Sequence, residues 1–257
     1  MANKVAVANH KGGVAKTTTT ITVAHCCALH GYRVLIVDGD PQGQCSNALG
    51  LPSEPGLFRA ISAMVSGVAD DVHQWIRKTG RTNLDILPGN DTTAMAQVML
   101  GAEKSIDVID NLLHPLRREY DYIFFDTAPS AGGIQERACY ASKFVLCPTA
   151  TEYLSSDGLT QLAGSLWTKS TSLKNQHGWD GALMGVLPTF YDESTSVSKE
   201  SLDQLKTQFG RDVLLPIHRA TALRECVAEG KTIFEYAPAH RASQEYETVT
   251  AEIIRRS

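Results

Sequence analysis

No stretch of this 257-residue chain approaches the ~18–20 uninterrupted apolar residues a bilayer-crossing helix needs, so a spanning segment is excluded. Charge of one sign is equally scarce: 24 Lys and Arg stand against 28 Asp and Glu, a formal net charge of −4. That mildly acidic balance shows no basic patch of its own. Repeats, low-complexity tracts and a disordered tail are missing too. The six cysteines form no C-x-x-C pair and the histidines no H-x-x-x-H spacing. They read as buried thiols of a reducing cytoplasm, and the spacings argue against a metal site made of protein side chains alone. The first apolar run begins so close to Met1 that no signal peptide and no N-terminal helix-turn-helix domain is expected.

What is there is organised around Asn9-His10-Lys11-Gly12-Gly13-Val14-Ala15-Lys16-Thr17-Thr18. Ahead of it, Val5 to Ala8 is suited to a buried parallel strand; behind it, Thr19 to Leu29 has a helical pattern that ends at Gly31. A strand, a glycine-bearing turn and a helix N-terminus aim backbone N–H groups and the positive end of a helix dipole at one spot, where phosphate oxygens can sit. Lys16 adds a point charge and Thr17 a hydroxyl for Mg²⁺. The general pattern G-x-x-x-x-G-K-[ST] is not met, because His10 and Ala15 stand at the two glycine positions. A methyl group at Ala15 is expected to widen the loop or crowd the nucleotide, loosening binding by about 1–2 kcal/mol.

Downstream, short apolar strands are expected at Arg33 to Asp38, Leu84 to Pro88, Tyr122 to Asp126, Phe144 to Pro148, Ala182 to Leu187 and Val213 to Leu215. Helical stretches separate them: 56–79, 93–118 with a break at Pro115, 131–142, 156–173 and 196–209. Alternation of this kind predicts one α/β domain over residues 1–257: a mostly parallel twisted sheet of about seven strands with helices on both faces, which together with the phosphate-binding loop resembles the P-loop NTPase class. A final helix places Ala242, Tyr246, Val249 and Ile253 on one face, which should pack on the core. Asp38-Gly39-Asp40-Pro41-Gln42-Gly43 and Asp126 close two of the strands, putting carboxylates where such sheets bind ligands.

Lys11-Gly12-Gly13-Val14-Ala15-Lys16-Thr17-Thr18 resembles the deviant Walker A motif K-G-G-x-G-K-[ST] of the ParA/MinD superfamily, in which the early lysine crosses a dimer interface to the partner's ATP. Asp38-x-Asp40-Pro41-Gln42 resembles that family's Walker A′ motif, and Asp126-Thr127-Ala128-Pro129-Ser130 its Walker B strand end with switch II. Pro148 to Tyr153, with Leu159 following, looks like its P-x-x-x-E-Y segment beside the dimer interface. The resemblance implies catalytic roles for Lys11, Lys16 and Asp40, with Asp40 positioning the attacking water. It implies ATP contacts from residues 11–18 and Mg²⁺ held by Thr17, Asp40 and Asp126. Pro216-Ile217-His218-Arg219 and Gly230-Lys231-Thr232-Ile233 look like the family's P-R-N and G-K-x-I elements, which places adenine near Pro216 and His218. His218 and Ala220 depart from the Pro and Asn common there.

Within the superfamily, the short N-terminus and D-x-D-P-Q-G are most similar to the ParA/Soj type. That resemblance implies a cytoplasmic homodimer with ATP sandwiched between subunits, which binds DNA non-specifically and associates with the nucleoid when ATP-bound. A ParB-like partner would stimulate hydrolysis, and the cargo would be a plasmid, a chromosome or a protein assembly. Lys199, Arg219, Arg224, Lys231 and Arg241 are the candidate DNA contacts. The alternative is a MinD-like ATPase that cycles on membranes without stable insertion; the acids Glu245, Glu247 and Glu252 in the last helix speak against it. An electron-transferring iron protein would need a cysteine between Asp126 and Gly133, where there is none.

Overall fold

The computed structural model describes residues 1–68, 71–102, 105–129, 133–152 and 156–257, and only some of the side chains over 156–170. Among them, seven strands form one sheet: β1 (Asn3–Val7), β2 (Val34–Gly39), β3 (Arg77–Lys78), β4 (Leu84–Leu87), β5 (Tyr122–Thr127), β6 (Phe144–Ala150) and β7 (Ala182–Thr189). Their spatial order is β3-β4-β2-β5-β1-β6-β7, and every pair is parallel except β3 with β4. The α-helices are α1 (Lys16–Leu29), α2 (Gln44–Ala48), α3 (Gly56–Val65), α4 (Thr93–Ala102), α5 (Val108–Leu113), α6 (Ile134–Ala141), α7 (Ser156–His177), α8 (Ser196–Phe209), α9 (Ala222–Ala228), α10 (Ile233–Tyr236) and α11 (Arg241–Arg256).

The central strands are apolar on both sides because both sides are covered. Val5, Val7, Val34, Ile36, Tyr122 and Phe124 meet Ile21 of α1 and Tyr246, Val249 and Ile253 of α11. Their alternating neighbours Leu35, Val37, Ile123 and Phe125 meet Leu57 and Ile61 of α3, Leu100 of α4, Leu112 of α5 and Ile134 of α6. The expected apolar face of α11 is wholly buried, with Ala242, Tyr246, Val249 and Ile253 at 1 % exposure or less.

Three expectations need correction. No strand forms over Val213 to Leu215. This segment runs beside β7, with Val213 bridging Val186 in parallel and Leu214 N–H donating to Val186 O at 2.9 Å, but Pro216 has no N–H with which to continue the ladder. The stretch 56–79 is not helical throughout. After α3, Gly67 takes φ +66° and Val68 N–H caps Ala63 O at 3.0 Å, a turn that stops the helix; the sheet's seventh strand, β3, then lies inside the same stretch. The stretch 93–118 has a second interruption, because residues 105–107 lie in no helix; the break at Pro115 does hold, since α5 ends at Leu113 and the 3₁₀ turn His114–Arg118 follows.

Order along the sheet sets the functional geometry. From β1 the chain crosses to β2, leaving a gap that β5 fills, and from β5 it crosses back over β1 to β6. The carboxyl ends of β1, β2 and β5 therefore converge at a topological switch point, where open α/β sheets bind ligands. The register makes Asp126 the partner of Val7 on one side and of Asp38 on the other.

Candidate functional site

Between β1 and α1 the backbone folds into a shallow cradle. Asn9 shapes its start, accepting Lys11 N–H at 3.0 Å on Oδ1 and donating from Nδ2 to Pro148 O at 2.8 Å. Gly13 has φ +70°, and a Cβ built on it would meet nothing within 4 Å, so this face of the loop opens onto space a ligand can fill. Ala15, the N-cap of α1, has φ 65° and ψ 33°, a left-handed conformation that favours glycine. Left-handed residues beside right-handed ones turn successive N–H groups to one side, and no acid in the first turn of α1 opposes the dipole there. Lys16 is 7 % exposed and reaches back over the loop, its Nζ 3.2 Å from Lys11 O. Burial lowers its pKa, against the pull of Asp126 and Asp40. Gly12 and Lys11 are exposed; Thr17 and Thr18 are half-buried.

Facing this cradle are the carboxylates that close β2 and β5. Asp126 is fully buried and accepts Thr17 Oγ1–H at 2.7 Å and Thr20 Oγ1–H at 3.2 Å. Cys45, at the start of α2, adds its thiol at 3.4 Å. Asp38, also fully buried, accepts Asp40 N–H at 3.3 Å and Cys45 N–H at 3.1 Å. Burial raises both acids: Asp126 is pushed up to about 6, with Thr17 pulling against the shift, and Asp38 well above the usual carboxylate range, with Asp126 adding repulsion. A hard dication beside Asp126 and Thr17 would meet oxygen donors and offset that repulsion, so the residues present fit Mg²⁺. Asp40 sits half-buried at the mouth, Oδ1 accepting Gln42 N–H at 2.9 Å. The loop of residues 11–18 and Asp126 thus stand together, with Asp40 near enough to act on the charges of Lys16 and Asp126. Ser130 and Tyr153 of the expected motifs, and the side chain of Leu159, lie outside the described residues.

The 216–219 segment runs beside residues 188–191: Ile217 N–H donates to Pro188 O and Arg219 N–H to Tyr191 O, both at 2.9 Å. Glu245 holds His218 twice, accepting its backbone N–H at 2.9 Å and lying 2.6 Å from Nδ1, while Arg241 Nη2 is 2.8 Å from Nε2. Pro216 is half-buried. Of the five candidate DNA contacts, all exposed, Arg219 pairs with Glu152, Lys231 with Glu229, and Arg241 with Glu193 and Glu245. Among the described residues, Lys199 and Arg224 form no ion pair.

Sequence reasoning missed Thr20 and Cys45. Thr20 was legible, because its i+3 spacing from Thr17 puts both hydroxyls on one face of α1. Cys45 carries no such signal: only the turn through Gly43 (φ +57°) returns the chain from Asp38 and sets the thiol against a carboxylate of another strand.

A family model described as an AAA domain matches residues 2–177. The sporulation initiation inhibitor protein Soj of Bacillus subtilis is 32% identical over 255 residues, 98% of this chain and 98% of that protein. Among solved structures, apo McdA of Cyanothece is similar in fold, with a TM-score of 0.86 at 21% identity over 99% of this chain and 100% of that one. The cobyrinic acid a,c-diamide synthase of Mycobacterium smegmatis, with bound ADP and magnesium, gives 0.80 at 26% identity over 99% and 95%.

Proposed function

The chain belongs to the ParA/MinD-type ATPases, and from that premise we propose that it is a Mg²⁺-dependent ATPase that dimerises around two ATP molecules. In that state it binds DNA without sequence preference, on the nucleoid of the cytoplasm, and leaves it when a partner of the ParB kind stimulates hydrolysis. The observation that carries the reading is the Thr17–Asp126 contact of 2.7 Å beneath the β1–α1 cradle: a phosphate-binding loop and a metal-holding carboxylate already in register. ADP and magnesium in the M. smegmatis structure support the same pair of ligands.

Thr17 and Asp126 would hold Mg²⁺, which neutralises phosphate charge when bound. Backbone N–H groups of residues 12–18 orient the phosphates, and Lys16 places a cation against them from a buried position, where its field is little screened. Asp40, with one oxygen fixed by Gln42 N–H, orients water at the pocket mouth; phosphoryl transfer depends mainly on such positioning. Lys11, exposed on the outer side of the loop, reaches a second subunit's nucleotide. Pro216 and His218 border the adenine.

The discriminating experiment is size-exclusion chromatography with ATP, followed by sedimentation with random-sequence DNA and, separately, anionic liposomes. Wild type should dimerise with ATP·Mg²⁺ and co-sediment with DNA. Lys11→Ala should bind nucleotide as a monomer and neither dimerise nor hydrolyse; Asp40→Ala should dimerise and remain on DNA. A Lys11→Ala variant that dimerises and hydrolyses like wild type overturns the cross-subunit role. Liposome binding without DNA binding would favour the membrane-cycling alternative, against which the buried apolar face of α11 counts.

A further inference from the structure

Asp38, Cys45 and Asp126 come from three separate stretches, yet one donor atom from each lies within 4.8 Å of the other two, and all three residues are buried. The cluster mixes hard and soft donors. In a tetrahedral site with Zn–S about 2.3 Å and Zn–O about 2.0–2.2 Å, sulfur and oxygen ligands stand about 3.5 Å apart. Cys45 Sγ and Asp126 Oδ2 stand at 3.4 Å. Each Asp38 oxygen accepts one backbone N–H, from Asp40 or Cys45, and keeps a second lone pair directed elsewhere. These two bonds fix the carboxylate in place without exhausting it. Three protein ligands leave one position of a tetrahedral Zn²⁺ for water or another donor.

We propose that this triad is a binding site for a thiophilic divalent cation of the Zn²⁺ class, held by Asp38, Cys45 and Asp126, and that its occupation excludes Mg²⁺ because both ions claim Asp126. Thiolate selects Zn²⁺ or Cd²⁺ over Mg²⁺, whose preference is for six oxygens in an octahedron. On binding, Cys45 forms a sulfur–metal bond and its proton leaves to the buffer; no electron is transferred. The consequence for hydrolysis rests on the reading of Asp126 as the Mg²⁺ carboxylate. The binding itself does not.

Cd²⁺ is the probe, because sulfur–cadmium bonds give an ultraviolet charge-transfer band that oxygen ligands do not. Titrated into the nucleotide-free full-length protein, Cd²⁺ should produce this band with an end-point of one equivalent. Cys45→Ala and Cys45→Ser should both lose it, the serine variant guarding against a packing failure at this enclosed position, while Cys139→Ala should keep it. Asp126→Asn should weaken Cd²⁺ binding measured by calorimetry. No band in wild type, or an equal band in Cys45→Ser, overturns the site. Cd²⁺ binding together with undiminished Mg²⁺·ATP hydrolysis at saturation overturns the competition alone. ATP binding in Mg²⁺ without Cd²⁺, measured separately, reports on the ATPase reading.

Discussion

Ala15 is the residue at which local chemistry and function conflict most openly. Its φ of 65° is held in the folded loop before any nucleotide arrives, so the strain falls on folding as much as on binding. A non-glycine residue in this conformation costs about 1–2 kcal/mol. Ala15→Gly is therefore expected to raise stability by about 1 kcal/mol, the relief of strain being partly offset by greater freedom of the unfolded chain. Thermal unfolding with and without an ATP analogue checks it: a melting temperature about 2–4 °C higher with little change in affinity locates the strain in the fold, whereas an affinity gain alone locates it in the complex. Asp126 gives a second prediction. An acid whose native pKa is raised to about 6 from a usual 3.8 binds more protons folded than unfolded between those values, so stability falls as pH rises through that window. The loss is on the order of 3 kcal/mol and complete above about pH 6. Asp126→Asn removes it, because the amide N–H can donate to Thr20 Oγ1, which still donates to Lys16 O, while the amide oxygen keeps accepting from Thr17. The nucleotide-free variant should then melt above wild type at pH 7.5, with the difference shrinking toward pH 5; a variant that melts lower at both pH values contradicts the account.

At the scale of elements, the loop depends on what stands behind α1. Tyr246 of α11 is fully buried and among the largest such side chains, with its hydroxyl 3.2 Å from Thr19 Oγ1 on the first turn of α1. Truncating it removes both packing and a buried polar contact next to the cradle. Tyr246→Ala should lose about 3–5 kcal/mol and Tyr246→Phe about 1 kcal/mol in denaturant unfolding. An alanine variant as stable as wild type would mean that α11 does not support α1. The last helix is thus a structural part of the site, although it supplies no residue to the phosphates.

Across the whole molecule, a net charge of −4 means that the DNA binding proposed above would rest on local surfaces. Three of the five candidate cations are engaged by carboxylates, which reduces their pull on phosphate. Lys199 and Arg224 are the stronger candidates. In the proposed ATP-bound dimer, Lys199→Ala or Arg224→Ala should weaken the proposed binding to random-sequence DNA and lower the salt slope by about one for each phosphate no longer neutralised. Lys231→Ala, whose removal also frees the Glu229 charge, should change the slope less. Equal slopes for all three variants would place the DNA face elsewhere.

The chain order of motifs was enough to determine the class. An apolar strand before Lys11-Gly12-Gly13, helix periodicity after Thr17 and acids closing β2 and β5 specify a parallel sheet with a phosphate loop, because backbone geometry and burial act within a few residues. The same local reading failed where long-range partners decide. Val213 to Leu215 has strand composition yet makes one bridge, since Pro216 interrupts the ladder; β3 is a strand through its pairing with β4, not through any pattern of its own. The site divides the same way. Lys16, Thr17 and Asp126 announce themselves by type and spacing, whereas the 3.4 Å approach of Cys45 to Asp126 joins residues 81 apart in sequence. No spacing rule encodes that contact. Only the folded sheet, which sets β2 beside β5, decided it, because coordination geometry is a property of atoms in space and sequence order constrains them only within a turn or a strand.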